Sequence, residues 1–140
     1  MHVDQMTFLS GVGGGNSPLM NVLVVDDEPD INTTLKATLE EEGFKVYVFD
    51  DPIEALEHFR KSFYDLLIFD IKMPKMNGFE LYREIKKIDS GVKVCFLTAG
   101  EMYYGAYGDI FDKLGANYFI RKPIENVELL KRLNDIISVQ

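Results

Sequence analysis

From Asn21 onward, short runs of consecutive apolar residues alternate five times with stretches whose apolar positions fall three and four apart. The runs are of strand length: 22–25, 45–49, 66–70, 93–98 and 118–121. Between the first two, Ile31, Leu35 and Leu39 recur at helical spacing, and Gly43 provides a stop. A second helix is expected over 52–60, with Ala55, Leu56 and Phe59 facing inward. Leu81, Ile85 and Ile88 mark a third, entered after Asn77-Gly78. A last helix over 125–137 carries Leu129, Leu133 and Ile136 on one side. Strands of continuous rather than alternating apolar residues belong to a sheet covered on both faces. Alternating strands and helices with right-handed crossovers then give an α/β fold, a (βα)5 doubly wound parallel sheet.

The fourth helix, over 101–114, has the weakest pattern. Gly105 and Gly108 each cost about 1 kcal/mol against alanine in a helix interior. Tyr103, Tyr104 and Tyr107 add more aromatic surface than a solvated helix needs. They either pack on the sheet or present an aromatic contact face.

Polar residues at the strand ends carry the chemistry. Asp26 and Asp27 close the first strand, Asp70 the third and Thr98 the fourth, while Lys122-Pro123 follows the fifth. In a parallel sheet these ends share one edge, where ligands bind. The flavodoxin-like order 2-1-3-4-5 makes strands one and three neighbours and brings the acids together. The dinucleotide-binding order 3-2-1-4-5 would separate them, so the chemistry favours the first. Two like charges at about 4 Å repel by roughly 4 kcal/mol at an effective dielectric near 20. Either one acid takes up a proton, or a divalent cation sits among them. Mg²⁺ suits such a site, because it prefers oxygen ligands and often joins carboxylates to a phosphate. A carboxylate nucleophile, a lysine and a hydroxyl complete the parts needed for phosphoryl transfer.

Each residue alone has a plainer reading: Asp70 as a loop acid, Lys122 as a surface charge, Thr98 as a strand residue. Acid doublets at strand ends are often helix caps. Asp50-Asp51-Pro52 is such a case, closely similar to Asp26-Asp27-Glu28-Pro29 yet read only as a cap with proline in the first turn. What singles out the site residues is their joint placement at the ends of separate strands.

Composition narrows the class. A 140-residue chain can build one substantial core, and no apolar run reaches membrane-spanning length. A net charge of −8 argues against direct nucleic-acid binding, where a basic footprint is expected. Cys95 is the only cysteine, which suits a reducing, cytoplasmic compartment, and it lies in an apolar run where core packing is expected. Residues 1–20 are set apart as a flexible leader or expression remnant. Their glycines neither follow a strand nor open a helix, so they are not a nucleotide loop, and Met20 would serve as a natural start. The domain is therefore expected over 21–140.

The segments Val24-Val25-Asp26-Asp27-Glu28-Pro29, Phe69-Asp70-Ile71-Lys72-Met73-Pro74-Lys75-Met76-Asn77-Gly78, Leu97-Thr98-Ala99 and Arg121-Lys122-Pro123 resemble those of the CheY-like receiver domains of two-component response regulators. The resemblance covers nearly everything after the leader. It implies that Asp70 accepts a phosphoryl group from a sensor histidine kinase or phosphotransfer protein. Asp27, Asp70 and the backbone carbonyl of Lys72 would bind Mg²⁺ (or Mn²⁺), with Asp26 acting through metal-bound water. Lys122 and Thr98 would contact phosphoryl oxygens, and Lys122–Pro123 would be a cis peptide. The family switch moves Thr98 toward the phosphate and turns an aromatic residue inward, here Phe119 where many members have tyrosine. That remodels the face of helix four, strand five and helix five, which meets a downstream protein or a second copy.

The resemblance implies that Gly100, two after Thr98, leaves the site mouth open with Lys72 at its other side, and that both would alter phosphoryl lifetime. A stand-alone receiver acting by protein contact is favoured over a truncated longer protein. Two rivals remain: a pseudo-receiver acting only as an interaction module, and a small aspartyl-phosphate phosphatase. Intact acids, Thr98 and Lys122 oppose the first. The second usually needs an aspartate where Lys72 stands, so the chain is not expected to be an enzyme.

Overall fold

In the computed structural model, which describes residues 20–99, 108–123 and 125–138, strand and helix alternate throughout. β1 (Asn21–Val25) leads into α1 (Pro29–Glu41), β2 (Lys45–Phe49) into α2 (Pro52–Glu57), and β3 (Leu66–Asp70) into α3 (Gly78–Ile88). β4 (Val94–Thr98) precedes α4 (Gly108–Leu114). A 3-10 turn, Ala116–Tyr118, introduces β5 (Phe119–Arg121), and α5 (Asn126–Ser138) follows. The five strands are parallel in the order β2-β1-β3-β4-β5. This is the flavodoxin-like order that the acids required.

Successive strand residues point to opposite faces, so each apolar run feeds two cores. Leu23, Val25, Leu67, Phe69, Val94 and Phe96 pack with Ala55 of α2 and Phe79, Leu81 and Ile85 of α3. Val22, Val24, Leu66, Ile68, Cys95 and Leu97 pack on the other side against Leu35 and Leu39 of α1 and Leu129, Leu133 and Ile136 of α5. Cys95 is wholly buried there, and burial pushes its thiol up to about 12.

Several elements differ from the pattern-based expectation. α2 stops at Glu57, three residues short of 60. Phe59 leaves the helix to pack 5.3 Å from Tyr64, within an aromatic group that includes Phe63 and Tyr47. Its packing in that group takes the place of nearly another turn of helix. In α3 the buried positions are Phe79, Leu81, Tyr82 and Ile85, whereas Ile88 is 41% exposed because the helix ends there and turns away. In α1 the buried stripe runs Asn32, Leu35, Leu39, with Ile31 only half-buried. Residues 101–107 of the expected fourth helix, Gly100, and residues 1–19 of the expected leader lie outside the described residues.

Two turns position the site. Asn77 and Glu80 form a reciprocal capping box, each side chain accepting from the other's backbone N–H at 2.9 Å, which starts α3 immediately after the loop from Asp70. That loop closes on itself through Gly78 N–H, which donates to the Ile71 carbonyl at 2.8 Å. Beyond Thr98, the Lys122 N–H donates to the Thr98 carbonyl at 2.7 Å, carrying the β4–β5 pairing one residue past the strand. Lys122 is thereby delivered to the same edge as the acids. The Lys122–Pro123 peptide is cis.

Candidate functional site

Asp26, Asp27 and Asp70 each offer a carboxylate oxygen within 4.8 Å of the others. Asp26 is fully buried and Asp70 is 4% exposed, while Asp27 is half-buried. Lys122 reaches into the group, its Nζ lying 2.8 Å from Asp26 Oδ2, 3.3 Å from Asp70 Oδ1 and 3.2 Å from Glu28 Oε1. Asp27 and Asp70 open into a cleft of about 810 Å³, lined also by Glu28, Lys72, Thr98 and Lys122, with Asp26 buried behind it. Thr98 is 8% exposed at its wall.

The charges are in tension. Burial, then the neighbouring Asp26 carboxylate, raises Asp70 to about 7, against the opposing pull of Lys122. Burial also raises Asp26, despite its bonds from Lys122 and from the Glu28 N–H. Burial disfavours the charge on Lys122, but the hydrogen bond and charge of Asp26, with the charge of Asp70, outweigh it and push Lys122 up to about 12. One ammonium thus serves two buried carboxylates, leaving an excess of negative charge. The donor set is all oxygen, which matches what Mg²⁺ or Mn²⁺ accepts.

The two acid doublets now separate on physical grounds. Asp51 caps α2, accepting from the Ile53 N–H at 2.9 Å, and its other oxygen pairs with Lys75 at 3.1 Å. Glu28 occupies the N-cap position of α1 but makes no side-chain cap bond, because its carboxylate turns to Lys122. Asp51 of the one doublet supports a helix, and Asp27 of the other faces the cleft.

Phe119 is inward and 6% exposed, stacked on Phe96 with ring centroids 5.3 Å apart and 6.0 Å from Phe79. Three contributors escaped the sequence reading. Glu28 was seen only as part of a motif. Gly78 was seen as a helix entry, yet a Cβ there would lie 2.3 Å from the Asp70 carbonyl oxygen. Asn32 carries a signal in the sequence, a polar residue three before Leu35 and seven before Leu39 on an otherwise apolar stripe.

A parallel sheet in this order, with three carboxylates and a lysine at its carboxyl edge, defines a flavodoxin-like α/β protein with an acidic cleft. The chain belongs to the response regulator receiver domain family, whose family model matches residues 22–134. It is 38% identical over 120 residues to the transcriptional regulatory protein CpxR homolog of Haemophilus influenzae, covering 85% of this chain and 51% of that protein. It is 33% identical over 114 residues to the transcriptional regulatory protein DltR of Streptococcus agalactiae, covering 81% and 50%. The chain therefore spans about half the length of these curated relatives. Among solved structures it is similar to the non-phosphorylated HemR receiver domain of Leptospira biflexa, at 34% identity and a TM-score of 0.74, covering 86% of this chain and 96% of that one. It is also similar to the response regulator TrrA of Thermotoga maritima in complex with Mg²⁺ and BeF, at 33% identity and a TM-score of 0.67, covering 84% and 99%. Among the described residues, no helix is long and apolar enough to cross a membrane.

Proposed function

We propose that the chain is a phosphorylation-activated signalling switch in which Asp70 is the phosphoacceptor. The observation that carries this is the convergence of Asp26, Asp27, Asp70 and Lys122 at one sheet edge, where Asp27, Asp70 and Lys122 line a cleft with Thr98 on its wall. Asp70 attacks phosphorus of a phosphohistidine on a sensor histidine kinase or phosphotransfer protein. The new P–O bond forms as the P–N bond breaks and the imidazole leaves. Asp27, Asp70 and the Lys72 carbonyl would hold Mg²⁺ (or Mn²⁺), with Asp26 acting through a water, and the bound ion supplies charge neutralisation at the phosphoryl oxygens.

This chain's own residues do the rest. Lys122 leaves its pairing with Asp70 to balance the transferred group, and the Thr98 hydroxyl donates to one of its oxygens. Thr98 and Phe119 relay the change to the face of α4, β5 and α5, where a downstream protein or a second copy docks. A differential affinity of a few kcal/mol between two states suffices for such a shift. Relatives named as transcriptional regulatory proteins point to transcription as the process such a switch would control.

The test is to treat the protein with acetyl phosphate and Mg²⁺, and separately with beryllofluoride and Mg²⁺. Acetyl phosphate should raise the intact mass by one phosphoryl group, located at Asp70, and both treatments should shift backbone resonances around Thr98 and Phe119. If wild type is unmodified, or Asp70→Asn behaves like it, the proposal fails.

A further inference from the structure

We infer that Asn32 is a positioning residue for the acidic cleft, its carboxamide holding the Asp26 peptide so that Asp26 and Asp27 present their carboxylates together. This rests on the cation-binding reading of the cleft given above.

Asn32 lies in the first turns of α1, on the stripe otherwise occupied by Leu35 and Leu39, and is buried. Its Nδ2 donates to the Asp26 carbonyl at 2.7 Å and, more weakly, to the Phe49 carbonyl at 3.4 Å. The Phe49 carbonyl also accepts from the Asp26 N–H at 3.3 Å. The carboxamide and the Asp26 peptide thus close a small ring between the ends of β1 and β2, beyond the last paired residues, Val25 and Phe49. Asp26 is held at its N–H by β2, at its carbonyl by Asn32, and at its carboxylate by the Glu28 N–H and Lys122. With all three groups held, Asp26 cannot rotate, and the position of Asp27, the next residue, follows from it.

The other atom of the amide argues against a purely packing role. Asn32 Oδ1 is buried and has no hydrogen-bond partner. Turning the amide over would set oxygen against oxygen at 2.7 Å, so the donor must face Asp26 and the acceptor is left without a bond. An apolar residue of similar size would fill the same space without burying an unsatisfied oxygen. What Asn32 contributes beyond packing is the donor to Asp26, one step removed from the carboxylates. Groups that orient metal ligands from behind typically change metal affinity by about 10–100-fold when removed.

The test titrates the full chain with Mg²⁺ alone by calorimetry, comparing wild type, Asn32→Ala, Asn32→Ser and Leu35→Ala, and follows amide hydrogen exchange without metal. Asn32→Ala should weaken Mg²⁺ binding by about 10–100-fold. It should also speed exchange of the Asp26 and Glu28 amides on the order of tenfold relative to the α1 interior. Asn32→Ser, which retains a shorter donor, should fall between and serves where alanine does not fold. Leu35→Ala should lower stability yet keep wild-type Mg²⁺ affinity. Wild-type Mg²⁺ affinity in a folded Asn32 variant, or an equal loss in Leu35→Ala, overturns the inference. If wild type itself takes up no Mg²⁺, the cation reading fails. The exchange rates then decide the positioning role: unchanged exchange at Asp26 and Glu28 refutes it, and selective acceleration supports it.

Discussion

Gly78 lies against the backbone of Asp70 so closely that a Cβ on it would sit 2.3 Å from the Asp70 carbonyl oxygen and 3.1 Å from its carbonyl carbon. The contact is backbone against backbone, so no side-chain rotation can relieve it. The helix start is thus pressed onto the residue that ends β3, and glycine is the only residue type that allows it.

Gly78→Ala should therefore destabilise the fold by about 1–3 kcal/mol, as overpacking does, and slow phosphorylation of Asp70 by displacing its peptide. Gly91→Ala is the control, since the nearest atom to its added Cβ is 3.9 Å away. It should stay within about 0.5 kcal/mol of wild type. Urea denaturation measures both, and equal effects at the two glycines would contradict the close-contact account.

Stability should fall as pH rises from about 4 to about 7 in metal-free protein. Asp70 is raised from 3.8 to about 7 by burial and by Asp26. In that window the folded state binds more protons than the unfolded state, so the slope of stability with pH is negative. Lys122, raised to about 12, contributes in full throughout this range and adds no slope. Asp70→Asn should flatten the profile and be more stable than wild type at pH 8, where wild type must bury the extra charge. Melting temperatures from pH 5 to 8 with a chelator present decide the matter. A rising wild-type profile would sink the assignment.

Lys122→Met should be more damaging at pH 8 than at pH 5. The ammonium is the shared partner of two buried carboxylates, and its loss leaves them uncompensated. Breaking a buried pair from one side typically costs about 3–5 kcal/mol. At pH 5 Asp70 takes up a proton and the penalty shrinks. Equal losses at both pH values in chemical denaturation would show that Lys122 acts by packing alone.

Phe119→Ala should lower stability by about 3–5 kcal/mol, because the ring is enclosed by Phe96 and Phe79 rather than exposed on β5. Phe119→Tyr must bring a hydroxyl into the same aromatic group. It should cost less in packing and bias the ring toward solvent, visible as increased tyrosine accessibility to a fluorescence quencher. A stability loss below about 1 kcal/mol for the alanine variant would mean the inward position is weakly held.

The strands, most helix cores and the strand order were legible in the chain. A run such as Leu66-Leu67-Ile68-Phe69 feeds two cores by alternation, and the acids at strand ends are close together only in one order. Element ends were less legible. α2 stops at Glu57 because Phe59 is drawn to Tyr64, a partner five residues on whose position depends on the tertiary fold. Ile88 matched the helical period but lies where α3 ends, and period alone does not say where the sheet stops covering a helix.

The same division holds at the site. By itself the sequence determined which residues carry charge and that Asp26, Asp27, Asp70, Thr98 and Lys122 stand at strand ends, because hydrophobic patterning is local and strand direction follows from right-handed crossovers. Only the tertiary structure decided that Lys122 pairs with both Asp26 and Asp70, that Glu28 leaves its cap for Lys122, and that Asn32 and Gly78 brace the backbone behind the acids. Those outcomes depend on contacts between different elements, the Lys122 pairs far apart in the chain, and on burial that raises Asp70 to about 7. Neither quantity exists until the sheet is assembled.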